Sequence, residues 1–220
     1  MEGKTAIVAG ATGLIGNELV EMLCSDADFG KVLVISRRNP GFDNPKVEVL
    51  LTDFDDLDSV ADNIRGDMLF CCLGTTIAKA GSRSAFRKVD EEYPLKLADV
   101  AVANGIEKFL IITAMGADPS SWVFYNRVKG EVEEGLKAKK LPFLRIFRPS
   151  LLLGEREEYR TGEEMGKAIM GLVSPLMVGP LKKYRPIQAT VVARAMIIES
   201  KKTGPALAEL PSDEIEALVT

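Results

Sequence analysis

Tyr125 and Lys129 lie four residues apart in a chain of 220 residues that contains no histidine. On a helix that spacing puts phenol and ammonium on one face, one turn apart. A neighbouring ammonium favours phenolate, the form a tyrosine must reach to take part in proton transfer. Thr113, twelve residues upstream at the end of an apolar run, supplies a hydroxyl that would hydrogen-bond the same reacting oxygen. The other reading has Tyr125 packed under a loop and Lys129 in solvent. Without histidine, His-dependent Ser or Cys triads and H-E-x-x-H zinc sites are excluded. Acid–base work then falls to Tyr, Lys, Asp, Glu or Cys.

A second constellation lies near the start, in Lys4 to Val20 (KTAIVAGATGLIGNELV). Thr5 to Ala9 is a short, β-branched apolar run suited to a strand covered on both faces. Glycines follow at 10, 13 and 16, and the apolar positions Leu14, Leu19, Val20 and Leu23 continue with helical spacing. Strand, glycine turn and helix in that order predict a dinucleotide site: the turn needs one glycine, close approach of a pyrophosphate another, and helix-on-strand packing a third. The amides and dipole at the helix start would hold the phosphates. Where NAD-binding units place an acidic residue about twenty positions on, this chain has Ser36, Arg37 and Arg38. Guanidinium binds a 2′-phosphate that carboxylate would repel, so NADP(H) is expected in preference to NAD(H). The alternative is two arginines ending a strand in solvent.

Further runs at Lys31–Ser36, Val47–Leu51, Asp67–Leu73, Phe109–Ile112 and Phe143–Phe147 read as strands. They alternate with helical stretches at Glu91–Ala103 and Ser120–Lys139. This predicts an α/β doubly wound parallel sheet, order 3-2-1-4-5-6, in one domain spanning 1–220. Beyond residue 151 the pattern changes: 155–160 is a charge run, 163–173 and Gln188–Lys201 read as helices, and Pro205–Leu210 as a seventh strand. Ser212 is placed to cap a closing helix. Residues 151–210 are expected to add a small C-terminal substrate lobe. Between Thr76 and Asp90 a polar loop carrying Lys79, Arg83, Arg87 and Lys88 is a candidate phosphate or substrate lid, or a solvated surface loop. The aspartates at 53, 55, 56 and 58 read as helix-start residues, and no metal site is expected.

With a formal net charge of −4 and 46% hydrophobic residues, nonspecific nucleic-acid binding is not expected. No run reaches eighteen apolar residues and Met-Glu-Gly-Lys opens no signal peptide, so no membrane span is expected. Cys24, Cys71 and Cys72 have no metal or disulfide spacing and suit a reducing, cytoplasmic setting.

Together these motifs resemble the short-chain dehydrogenase/reductase superfamily. Gly10-Ala11-Thr12-Gly13-Leu14-Ile15-Gly16 matches its G-x-x-G-x-x-G loop, and Thr113, Tyr125 and Lys129 match its Ser/Thr, Tyr, Lys triad. More narrowly, residues 70–76, the Lys79-Ala80-Gly81 loop, Gly116-Ala117-Asp118, Val128-Lys129-Gly130-Glu131 and Phe147-Arg148-Pro149 are similar to the Tat-interacting oxidoreductase-like proteins. Threonine stands at 113 where serine is more usual. The resemblance implies that Thr12, Leu14, Ile15, Arg37, Arg38, Asp53 and Phe54 surround the adenine half of the cofactor. Cys72, Leu73, Gly74 and Thr75 would line the ribose, and Arg148, Pro149 and Ser150 would approach the nicotinamide. The implied activity is NADP(H)-dependent oxidation or reduction of a carbonyl/alcohol substrate. The alternatives are a noncatalytic redox sensor that binds a protein partner, and an epimerase-like use of the same cofactor.

Overall fold

The computed structural model describes residues 3–154, 182 and 184–220. Strand β1 (Lys4–Ala9) leads through the glycine turn into helix α1 (Leu14–Ser25), then β2 (Phe29–Ser36) and β3 (Val47–Leu51). A 3-10 helix (Phe54–Asn63) precedes β4 (Met68–Cys71), and two short helices follow, α2 (Ile77–Ala80) and α3 (Arg83–Arg87). After α4 (Tyr93–Ala103) come β5 (Lys108–Ile112), α5 (Phe124–Ala138) and β6 (Phe143–Arg148). The C-terminal part adds β7 (Leu152–Leu153), β8 (Ile187–Gln188), α6 (Ala189–Lys201), β9 (Leu207–Pro211) and α7 (Ser212–Ala217).

Seven strands form one parallel sheet in the order β3-β2-β1-β4-β5-β6-β9. The expected order and seventh strand are present, β9 lying parallel to β6. Alternate β1 residues serve opposite layers: Ala6 and Val8 pack with Leu19, Val192 and Met196, while Ile7 and Ala9 pack with Leu97, Ala101 and Leu136. Burial on both faces explains why these strands read as continuous apolar runs. Each fully buried aliphatic side chain contributes about 1.5–3 kcal/mol.

Of the expected C-terminal lobe, α6 packs on α1 and β9 extends the main sheet, while β7 and β8 form a separate two-stranded ladder. The helix expected at 163–173 and the charge run at 155–160 lie outside the described residues. Among the described residues no helix is long and apolar enough to cross a membrane.

Three local expectations are corrected. The stretch from Thr76 to Asp90 is helical: the Thr76 and Ser82 hydroxyls accept the Lys79 and Ala85 amides, and Phe86 is fully buried. Helix α3 runs through a π turn at Lys88–Glu92 into α4. The helix expected from Ser120 begins at Phe124, because the Asp118 carboxylate accepts the Ser120 amide in a turn. Ser212 does not cap α7; its hydroxyl accepts the Ser150 amide at 2.9 Å and donates to the Ser150 hydroxyl at 3.0 Å.

Candidate functional site

The glycine turn is built by close backbone contact. Gly10 has φ +88°, and a Cβ there would lie 2.5 Å from the Cys72 carbonyl oxygen at the end of β4. A Cβ on Gly16 would overlap the Gly10 carbonyl oxygen, so helix α1 meets the turn as closely as glycine allows. Gly13 occupies the N-cap position of α1 and no side chain caps the helix. Its first amides are therefore available to an anion. Ile15 and Gly16 are buried, so they can serve a ligand only through the backbone. Leu14 instead turns its side chain toward Gly154.

A cavity of about 410 Å³ opens beside this turn, lined by Gly10, Thr12, Arg37, Arg38, Phe54 and Leu73. Phe54 stacks on Tyr93 with centroids 5.3 Å apart, which fixes a flat wall. Arg37 and Arg38 are both exposed, and among the described residues neither has an acidic partner. Asp53 is committed locally: its carboxylate accepts the Asp55 amide and caps the 3-10 helix. An uncapped helix start, two unpaired guanidiniums and an apolar wall fit the phosphates and adenine of a dinucleotide.

Across the sheet, β4 and α5 bring Cys71, Gly74, Thr75 and Lys129 together. The Lys129 side chain is 5% exposed and its Nζ lies 2.7 Å from Oδ1 of Asp90, itself 1% exposed. Oδ2 of Asp90 accepts the Thr75 amide at 2.9 Å. Burial pulls the Lys129 ammonium down, but Asp90 and Tyr125 more than offset it and hold the lysine above its ordinary value. The site thus keeps a charged lysine out of water. Burial pushes the Cys71 thiol up to about 12 and the Cys72 thiol well above its ordinary value, so both are neutral. The Tyr125 ring packs against Phe86 at 5.7 Å between centroids. In sequence, Phe86 gave no sign of this role beyond being an apolar residue in a polar stretch.

Thr113 is buried at the end of β5, and its hydroxyl donates to Glu133 Oε1 at 2.5 Å. Arg148 donates to the same carboxylate and also contacts Glu209 at 2.7 Å. Its guanidinium is therefore engaged in a network linking β6, α5 and β9. Pro149 accepts the Met115 amide through its carbonyl, and the Ser150 hydroxyl donates to the Arg185 carbonyl. In the basic stretch, Lys88 pairs with Asp55 at 2.6 Å, and Arg87 pairs with Glu91 and Glu131. Arg83 lies 5.0 Å over the Phe124 ring. Arg87 and Lys88, two of the four cations expected to make a phosphate lid, are thus ion-paired within the fold.

Sequence reasoning did not pick out Asp90 or Glu133. One signal was available in Gly130, a glycine inside a helix, which costs about 1 kcal/mol relative to alanine. A Cβ there would collide with Asp118 and Pro119, so Gly130 lets the loop after β5 lie directly on α5 beside Lys129.

Residues 10–174 match the family model described as NAD(P)H-binding. The chain is 39% identical over 175 residues to Protein HTATIP2 of Rattus norvegicus, spanning 78% of this chain and 72% of that protein. It is 35% identical over 181 residues to Protein FMP52-1, mitochondrial, of Scheffersomyces stipitis, spanning 81% and 76%. Among solved structures, MoeE5 in complex with UDP-glucose and NAD superposes with a TM-score of 0.71 at 15% identity, covering 96% of this chain and 79% of that one. UDP-N-acetylglucosamine 4-epimerase from Methanobrevibacter ruminantium M1 in complex with UDP-N-acetylmuramic acid gives 0.72 at 17% identity, covering 96% and 77%. At those identities the two structures establish the fold alone.

Proposed function

Because the chain belongs to the NAD(P)H-binding family and is related to the HTATIP2 and FMP52 proteins, we propose that it is a nicotinamide-dependent oxidoreductase acting on a carbonyl/alcohol carbon. The observation that carries this reading is the buried, charged Lys129 one helical turn from Tyr125, beside the backbone of Gly74 and Thr75. A lysine ammonium removed from water at the carboxyl ends of the strands is costly unless it serves a ligand or holds a neighbour.

When bound, the nicotinamide supplies the hydride chemistry. The chain's own residues do the rest. Tyr125 would pass a proton to the carbonyl oxygen, or take one from the alcohol, and Lys129 would hold the nicotinamide ribose. Thr113 contributes a hydrogen bond to the substrate oxygen only by leaving Glu133, so Tyr125 is the principal proton donor. Arg37 and Arg38 hold the adenosine 2′-phosphate, which favours NADP(H) over NAD(H). The amides of Leu14, Ile15 and Gly16 would take the pyrophosphate, with Gly10, Thr12 and Gly13, whose own amide closes the turn onto the Gly10 carbonyl, flanking it. Asp53 and Phe54 border the adenine, and the backbone from Cys72 to Thr75 follows the ribose. Arg148, Pro149 and Ser150 bound the nicotinamide side, with Arg148 acting through Glu133.

An epimerase-like reading has its own support, since one of the solved structures of like fold is a UDP-N-acetylglucosamine 4-epimerase. There the same residues would run the step in both directions on one bound substrate, with no net cofactor consumption. Monitoring NADPH absorbance across a panel of carbonyl compounds, with chromatography of nucleotide-sugar stereoisomers in parallel, separates the two. Net NADPH oxidation supports the oxidoreductase, and stereoisomer exchange without it supports the epimerase. If neither occurs while NADPH binding alters association with a protein partner, the chain is a sensor and the catalytic reading fails.

A further inference from the structure

We propose that Asp90 is a positioning residue of the cofactor site, holding the Lys129 ammonium and the Thr75 backbone in one register so that both meet the same ribose. The inference rests on the dinucleotide reading of the groove. Its basis is geometric. One carboxylate, 1% exposed, reaches two elements at once: Oδ1 contacts Lys129 Nζ on α5 at 2.7 Å, and Oδ2 accepts the amide of Thr75 after β4 at 2.9 Å. Asp90 itself sits in the π turn between α3 and α4. Such turns are uncommon and recur at functional sites, because the extra residue re-aims a side chain.

Gly74 brings the strand-end backbone onto this pair. A Cβ at 74 would lie 3.6 Å from Asp90 Oδ1 and 3.9 Å from Lys129 Nζ, ordinary contact distances, so the loop after β4 lies directly against both groups. A staple between helices alone would need no contact with that loop. The molecule offers that contrast in its second buried pair, where Arg145 Nε lies 2.9 Å from Glu199, and the same arginine donates to the Pro205 carbonyl. That pair joins β6 to α6, toward the opposite end of β6 from Arg148.

The groups facing Lys129 are few. Asp90 approaches from the π turn and Cys71 from β4, with Tyr125 on α5 itself. Glu133, one turn further along α5, is engaged by Thr113 and Arg148. The neutral Cys71 thiol leaves Asp90 as the anion that compensates the lysine. Replacing that anion by an amide would leave the buried ammonium without its compensating charge. The amide would also point an N–H group at the ammonium, or give up the Thr75 bond.

The test pairs Asp90→Asn with Glu199→Gln in the full chain, reading NADPH affinity by fluorescence titration, melting temperature, and the pH profile of turnover. Asp90→Asn should weaken NADPH binding about tenfold or more and move the high-pH limb of the turnover profile down, because Lys129 loses the anion that holds it above its ordinary value. Glu199→Gln should lower the melting temperature while leaving affinity and profile unchanged. Asp90→Asn that binds NADPH as wild type does, with a melting loss like that of Glu199→Gln, overturns the proposal and makes the pair a staple. Should Asp90→Asn fail to fold, Asp90→Glu keeps the charge and displaces it by one methylene; weaker NADPH binding supports the proposal and wild-type affinity overturns it. A wild-type chain that binds no dinucleotide overturns the reading of the groove and this inference with it.

Discussion

The cavity beside the glycine turn and the surroundings of Tyr125 are built on opposite electrostatic plans. At the glycine-turn end the backbone fixes the shape and the charges are left open: no side chain caps α1, and Arg37 and Arg38 stand exposed without acidic partners among the described residues. At the Tyr125 end the charges are closed up, with Lys129 on Asp90 and Arg148 between Glu133 and Glu209. Open charges in solvent suit attraction and selection of a ligand, since they gain a partner only on binding. Closed charges in a low dielectric suit geometry, since the groups are already oriented before anything binds. On the proposed function, recognition would fall to the open charges and chemistry to the closed ones, and each could be damaged without the other.

The largest effect expected is at the backbone-built end. Gly16→Ala drives a methyl group into the Gly10 carbonyl. It should cost about 3 kcal/mol of stability, or roughly a 10 °C fall in melting temperature, along with nucleotide binding. Calorimetry and NADPH titration read both, and a stable variant that still binds would show that the turn tolerates a shift. At the closed end, Tyr125→Phe should retain fold and NADPH affinity while turnover falls about 100-fold or more, equivalent to about 2.7 kcal/mol. Unchanged turnover in that variant would break the division between recognition and chemistry.

How much of this was legible in sequence follows the same division. The glycine turn is legible because backbone geometry restricts residue choice at Gly10 and Gly16 to one type, and the sheet because strands buried on both faces stay apolar. Tyr125 and Lys129 could be paired because helical spacing alone brings them together. Asp90 could not be paired with Lys129, thirty-nine positions away, because nothing local marks an aspartate that a π turn will swing inward. The same limit applies to Thr113: its hydroxyl was visible in the sequence, but its engagement with Glu133 depends on the register of β5 against α5. The basic stretch was misread as a loop because its polar residues conceal Phe86, the side chain that anchors α3 in the core.

Smaller effects sharpen the contrast. Arg37→Ala combined with Arg38→Ala should reduce NADPH affinity about tenfold while leaving NADH binding nearly unchanged, with the difference shrinking as salt rises. Equal losses for the two dinucleotides would mean the arginines serve the groove's shape and not the 2′-phosphate. Gly74→Ala meets its nearest atoms at 3.6 and 3.9 Å, ordinary contact distances. It should therefore fold normally and weaken NADPH binding a few-fold by adding a methyl group against the Asp90–Lys129 pair. A melting curve and a titration decide it. Smallest of all, the Cys71 thiol, pushed up to about 12, should stay unalkylated by iodoacetamide at pH 8 in the folded protein and react only on unfolding, as mass spectrometry would record.

The seventh strand carries a consequence for the order of assembly. Among the described residues, the outer edge of strand β6 pairs with β9, Leu144 to Arg148 lying against Leu207 to Pro211. During synthesis, therefore, six strands can pair while the edge of β6 waits, a long-range closure that slows folding and leaves a strand edge open. Arg145 waits with it, since Glu199 and the Pro205 carbonyl arrive on the same late segment. Refolding followed by pulsed hydrogen exchange should accordingly find the Leu144 amide, which bonds the Ala206 carbonyl at 2.6 Å, protected later than the amides of β1. A segment that emerges after the other six strands thus closes the edge of the sheet.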